Sequence, residues 1–140
     1  MKVGREYGLR AVRFPYEPIL PSWRASRKCL GQKLASGMFL WPWLALLKNR
    51  LRQARVCSNH FVFGMNDSGN MNLDLVLRFI RHLPPGVTEM YFHPAIGRCP
   101  ETDRIQKNYC YEEEFAALTS PAFRQALLDL DIQSIGFGDL

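Results

Sequence analysis

Residues 55–95, RVCSNHFVFGMNDSGNMNLDLVLRFIRHLPPGVTEMYFHPA, decide the architecture of this chain. Their first part, Arg55 to Gly64, is β-branched and aromatic and reads as a strand. MNDSGN (65–70) is turn chemistry, because Asn, Asp, Ser and Gly each ease a reversal of the backbone. Leu73, Val76, Leu77, Ile80 and Leu83 then recur with helical spacing and build one apolar face, with Asn72 placed to cap the helix. Pro84, Pro85 and Gly86 stop it, and VTEMYFHPA (87–95) is a second strand closed by Pro94. Strand, helix, strand is the unit that joins two parallel neighbours.

Upstream, GLRAVRF (8–14) is an apolar run that ends at Pro15 and reads as a further strand. Tyr7 and Gly8 mark a helix end, so MKVGREYG reads as the tail of a helix whose beginning is missing. The prolines of FPYEPILPSW (14–23) predict a loop. From Ser26 to Arg55 the pattern is helical: Leu30, Leu34, Met38 and Trp41, then Leu44, Leu47 and Leu51. Pro42 interrupts it, which predicts two helices or one kinked helix. Downstream, residues 96–108 are polar and predict a mobile loop. Residues 111–118 and 121–130 predict two short helices, the second capped by Ser120 with Pro121 in its first position. IQSIGFGDL (132–140) predicts a last strand.

Regular alternation of this kind predicts an α/β fold of about four parallel strands with flanking helices. A chain that opens in a helix tail and closes in a strand is expected to be a single partial domain, residues 1–140, forming half of a (β/α) barrel. Its open sheet edges favour self-association.

Length and composition agree with one domain. The 140 residues are 47% hydrophobic and 22% charged, enough apolar surface for a core, which excludes a chain disordered throughout. No apolar run of about 18 residues is present, which excludes a plain membrane-spanning helix. Cys29, Cys57, Cys99 and Cys110 form no CxxC pair, so free thiols are expected rather than a zinc site or a disulfide framework. MKVGREYGLRAV lacks the apolar stretch of a signal peptide, and a cytoplasmic location is expected.

Net charge is +5 but unevenly spread. No acidic residue lies between Pro18 and Asn66, whereas eight basic ones do: Arg24, Arg27, Lys28, Lys33, Lys48, Arg50, Arg52 and Arg55. The same segment holds LASGMFLWPWLALL (34–47), with Trp41 and Trp43. Basic flanks around tryptophans and leucines suit an interfacial helix on an anionic membrane surface; a core helix wrapped over the sheet is the commoner use of such a stretch. The basic residues do not alternate with aromatics on a strand and no recognition motif occurs, so no nucleic-acid partner is expected.

His93 is the leading catalytic candidate. It stands at the C-terminal end of a predicted strand, the edge where α/β folds bind ligands, and an imidazole there can give a proton to a leaving group. The plain alternative is a histidine that hydrogen-bonds its loop. Arg13 and Glu17 flank the end of the first predicted strand, where the arginine either fixes a carboxylate or orients a catalytic acid, or the two simply pair with each other. Glu89 shares a strand face with His93 but lies about 13 Å away, too far for contact. His82 suits a helix C-terminus, and His60 reads as a packed core histidine. No HxH or HxxxH pair, GxxxxGK loop or GxSxG elbow occurs.

Four stretches in order resemble one family: AVRFPYEP (11–18) after a helix ending in EYG, HFVFGMNDSGNM (60–71), LPPGVTEMYFHPA (83–95) and EFAALTSPAFRQALLDLDIQSIGFGDL (114–140). They are similar to the carbohydrate deacetylases of the YdjC/ChbG type, and within these to the hopanoid biosynthesis-associated branch. The resemblance implies a distorted (β/α) barrel that removes the acetyl group from an N-acetylated amino sugar. It also implies a divalent metal, Mg²⁺ or Zn²⁺, that polarises the amide carbonyl and activates a water, with an aspartate as base and a histidine that protonates the departing amine. For the hopanoid branch, the implied substrate is N-acetylglucosamine on a hopanoid lipid.

An HP motif of that family maps onto His93 and Pro94, which makes His93 the proton donor or a substrate contact. A VRxPxE motif maps onto Arg13, Pro15 and Glu17, with Arg13 and Glu17 lining the sugar site. The family's metal ligands (an aspartate pair, a histidine and an HxH motif) have no counterpart here, so no metal ligand is assigned in this chain. The resemblance therefore implies the C-terminal half of such an enzyme, inactive alone, and located in the cytoplasm or peripherally at the inner membrane. Its expected partners are the sugar or glycolipid substrate, the missing N-terminal half or a second copy, and an anionic membrane surface. The alternative is a non-enzymatic membrane- or lipid-binding module built on residues 24–55.

Overall fold

The structure, a computed structural model, describes residue 4, residues 6–28 and residues 30–140. In chain order its elements are α1 (Ile19–Ser26), α2 (Leu30–Ala54), β1 (Phe61–Phe63), α3 (Leu73–Ile80), β2 (Thr88–Met90), α4 (Pro100–Ile105), α5 (Tyr111–Thr119), α6 (Pro121–Asp129) and a 3₁₀ turn, Phe137–Asp139. Of the expected helix tail, Gly4 and Glu6 are helical and Tyr7 and Gly8 form a turn, while residues 1–3 and 5 lie outside the described residues, as does Cys29. The Leu9 N–H donates to the Gly4 carbonyl at 2.8 Å and Gly8 takes φ +67°, the left-handed closure expected of a helix end.

The central unit forms as its periodicity requires. β1 and β2 are parallel neighbours, with Phe61 opposite Thr88 and Phe63 opposite Met90, and α3 joins them. The Asn72 side chain accepts the Leu75 N–H at 3.0 Å and caps α3. The inward face of α3 puts Leu75, Val76, Phe79 and Ile80 against Phe63, Met71, Ala25 and Ala117 to make the core. The Phe63 and Phe79 rings lie 5.1 Å apart, tilted, a favourable aromatic pair. α1, α5 and α6 pack around α3. Ser120 accepts the Ala122 N–H at 3.2 Å and Pro121 opens α6, as read from the sequence.

The expected strand over residues 8–14 is reduced to a bridge. Its backbone runs parallel beside β1, with Cys57 N–H donating to Arg10 at 2.9 Å, Val12 N–H to Cys57 at 2.9 Å and Val62 N–H to Tyr16 at 2.9 Å. Between these bonds the buried Asn59 side chain replaces a strand: it accepts from Phe14 N–H at 2.7 Å and donates to the Phe14 and Phe61 carbonyls at 3.0 and 2.8 Å. An amide side chain with both a donor and an acceptor serves as a local substitute for backbone pairing.

Other departures have equally local causes. The proline-rich stretch expected as a loop contains α1, because Pro18 precedes the helix and Pro21 sits in its first turn, where no amide donor is needed. Of the two alternatives left open at Pro42, the chain takes the single helix, α2, with the proline inside it. The polar stretch expected as a loop carries α4, with Glu101 and Asp103 in its first turn, where acidic side chains favour the helix dipole. The strands are shorter than expected, three residues each. Residues 132–136 form no strand, since none of the described residues pairs with them and alternation alone cannot hold an extended backbone. A groove of about 930 Å³ separates them from β2, lined by Thr88, Met90, Phe92, Ile132, Ile135 and Phe137 among others.

Candidate functional site

Parallel strands end on the same side, so the turn after β1 and the segment after β2 meet at one rim. Glu114, on α5, fastens them together. Its carboxylate is fully buried and accepts the Met71 N–H at 3.0 Å through Oε1 and the His93 N–H at 2.5 Å through Oε2. Burying a carboxylate is costly unless each oxygen is satisfied, and two backbone donors do this here.

That clamp sets the His93 ring. It stands edge-on to Tyr91 and Tyr109, with ring centroids 4.6 and 4.9 Å away. Nδ1 lies 3.5 Å from Ser68 Oγ, at the outer limit of a hydrogen bond, and that hydroxyl meets the Tyr109 hydroxyl at 2.9 Å. Tyr109 rests on Gly69, whose φ of +78° belongs to glycine; a Cβ there would lie 2.3 Å from the ring. The Nε2 atom has no hydrogen-bond partner among the described residues, which leaves it available to a ligand.

Beside Ser68 lies a buried ionic cluster. Lys33 of α2 places its ammonium 2.6 Å from Ser22 Oγ, 3.1 Å from Ser26 Oγ, 3.3 Å from Asp67 Oδ2 and 3.9 Å from Glu17 Oε1. Ser22 donates onward to Glu17 at 2.5 Å, and Glu17 accepts the Asn66 N–H at 3.0 Å. The three charged side chains are between 5% and 9% exposed, so their mutual pairing and the bonds to Ser22, Ser26 and the Asn66 N–H together offset the loss of water.

Arg13 forms the outer part of the rim. It is bonded to Glu89 through two nitrogens, one of them at 2.9 Å, and its guanidinium lies 5.0 Å over the Tyr91 ring. The hydrogen bond to Glu89 raises its pKa above the ordinary arginine value, so it is a cation at every working pH. One alternative is corrected here: Arg13 pairs with Glu89 rather than with Glu17, and Glu89, which makes no bond to His93, holds Arg13 instead.

The structure thus sets Arg13, His93 and Glu17 along one rim without bringing any two into direct contact. Arg13 covers Tyr91, Tyr91 packs on His93, His93 faces Ser68, and the neighbouring Asp67 pairs with Lys33, which in turn reaches Glu17. Sequence reasoning missed Glu114, Lys33, Asp67, Ser68 and Tyr109. Lys33 left one signal, as the sole charged residue between Gly31 and Leu47. His60 lies off the rim; it is exposed rather than packed in a core and accepts the Val87 N–H at 2.9 Å. His82 bonds the Arg78 carbonyl at 2.8 Å at the end of α3, as its position predicts.

The rim residues do not fit a divalent ion. A lysine ammonium occupies the point between Glu17 and Asp67 where a cation would sit, and both oxygens of Glu114 are engaged by amides. Among the described residues no three His, Cys, Asp or Glu side chains converge.

The βαβ core, the rim at the strand ends and the order of the motifs define a class. The sequence profile of the YdjC-like protein family matches residues 1–129. The chain therefore belongs to the YdjC-like family, and membership implies carbohydrate-deacetylase chemistry, a hydrolase function, at the level of the family. No curated protein and no solved structure matches the chain.

Proposed function

We propose that residues 1–140 carry the sugar-facing rim of a metal-dependent deacetylase of an N-acetylated amino sugar, built on part of a (β/α) barrel. The observation that carries this reading is the continuous rim from Arg13 through Tyr91 and His93 to Asp67 and Glu17, in a chain of this family. His93 Nε2 is the atom that gives a proton to the amine as the amide C–N bond breaks. The Arg13 guanidinium donates to sugar hydroxyls from its fixed place over Tyr91. Lys33 holds Glu17 and Asp67 in place before substrate arrives, so their orientation needs no reorganisation on binding. The divalent ion of this reading, Mg²⁺ or Zn²⁺, has its ligands outside the described residues, supplied by an N-terminal portion of the enzyme. The resemblance to the hopanoid-associated branch supports N-acetylglucosamine on a hopanoid lipid as the substrate, handled on the cytoplasmic side.

Titration of the chain with an N-acetylglucosamine glycoside, followed by NMR, tests this. The His93 ring signals are expected to move while those of His60 and His82 stay, and Arg13→Ala is expected to weaken binding at least tenfold, on the order of a lost charge-assisted bond. Binding that leaves His93 unmoved overturns the assignment. Acetate release with Mg²⁺ or Zn²⁺ is expected to stay at the buffer rate for residues 1–140 alone; turnover would place the metal ligands within them.

A further inference from the structure

We propose that the outward side of α2 is a docking surface for an anionic lipid bilayer. This inference does not depend on the deacetylase reading, because it concerns a different face of the molecule and is measured without turnover.

Helix α2 is amphipathic along its axis rather than around it. No charged residue lies between Leu34 and Leu47, a length of about 20 Å at the rise of an α-helix. Within it Met38, Phe39, Trp41 and Trp43 are 77%, 76%, 64% and 67% exposed. Leu34, Leu40 and Leu46 are exposed as well. Four consecutive exposed positions, Met38 to Trp41, turn through a full circle, since each residue advances the helix by about 100°. The middle of α2 is therefore bare on every side, while its ends are held to the body by buried Lys33 and buried Leu51. An exposed apolar patch of this kind marks an interaction surface.

The charges choose the occupant. Arg24, Arg27 and Lys28 precede the apolar stretch, and Lys48, Arg50, Arg52 and Arg55 follow it; all seven are exposed. Lys33, the eighth basic residue of the segment, is buried in the ionic cluster and takes no part. Cationic groups at both ends of an apolar, tryptophan-bearing stretch match a bilayer interface, where phosphates meet the ends and the acyl boundary receives the middle. A rigid protein groove covers one side of a helix, whereas a fluid apolar phase closes around it. Among the described residues no helix is long and apolar enough to cross a membrane, so the contact is peripheral.

The test is flotation of the full chain with vesicles of phosphatidylcholine containing about a third phosphatidylglycerol, beside tryptophan emission and quenching by brominated lipid. Expected results are binding with a blue shift and quenching, binding at least tenfold weaker to pure phosphatidylcholine, and weakening as salt rises from about 0.1 to 0.5 M. Trp41→Ser with Trp43→Ser is expected to lose the blue shift and at least nine-tenths of the binding while circular dichroism stays the same. Arg50→Gln with Arg52→Gln is expected to lower binding to anionic vesicles and leave it unchanged on neutral ones. Failure of the wild-type chain to float, or equal binding by the tryptophan variant, overturns the proposal. So does a dimer, seen by sedimentation, that the tryptophan variant abolishes while no vesicle binds, since the face would then join two copies.

Discussion

Two halves of the molecule distribute polarity in opposite ways. Around α3 the arrangement is ordinary: Val76, Phe79 and Phe63 are buried, and the outward Asp74 pairs with Arg78 one turn on. Around α2 it is inverted, because Met38, Phe39, Trp41 and Trp43 face outward while Lys33 lies inside with Glu17 and Asp67. The first half is held by apolar area removed from water, the second by pairing among buried charges. That contrast teaches where function sits. The rim gathers where the two halves touch, with Asp67 and Ser68 reaching toward both Lys33 and His93.

The largest effect is expected on the inverted side. Lys33→Met leaves Glu17 and Asp67 buried without their cation, and breaking one member of such a set costs about 3–5 kcal/mol. Chemical denaturation would show it as a lowered midpoint with an unchanged slope. A triple variant, Lys33→Met with Glu17→Gln and Asp67→Asn, is expected to recover at least half of that loss, because no charge is then stranded. Equal losses in both variants would mean that packing around the lysine stem matters, not charge.

A smaller loss is expected at the joint between the halves of the rim. Glu114→Gln keeps the shape, but an amide offers only one acceptor oxygen to two backbone donors. One N–H, of Met71 or of His93, is left facing a donor, at a cost of about 1–3 kcal/mol. The same variant is expected to loosen the His93 ring, read as averaged contacts to Tyr91 and Tyr109 in NMR spectra. A stability loss without any change at His93 would reduce Glu114 to a structural residue.

Much of the ordinary half was legible beforehand, and little of the inverted half. Asn72, the apolar face of α3, Ser120 and Pro121 each act within one turn of the backbone, so spacing alone reveals them. Strand lengths and the conformation of residues 132–140 are not legible in this way, because pairing depends on a distant neighbour, which hydrophobic alternation does not encode. Pro18 and Pro21 signal a loop by composition, although both also suit a helix start, which is where the fold uses them. At the site, Arg13, Glu17 and His93 stand out through their places at predicted strand ends, and the family resemblance points to the same three. Glu114 did not, since its partner Met71 lies 43 residues away and a glutamate in a first helical turn already has a sufficient local explanation.

The smallest expected effect sharpens the comparison most. A large aromatic in the ordinary half, Phe79, has no exposure, and Phe79→Ala should cost about 3–5 kcal/mol through lost contacts and the cavity left behind. Trp41→Ser and Trp43→Ser remove side chains of greater area, yet both are about two-thirds exposed, and each should change stability by no more than about 0.5 kcal/mol. Thermal unfolding of the three variants in buffer decides the matter. If the tryptophan variants melt as far below wild type as Phe79→Ala does, α2 is packed in solution, the inversion is absent, and the bare apolar helix that distinguishes the two halves does not exist. If they melt with wild type, those side chains are kept for something other than the fold.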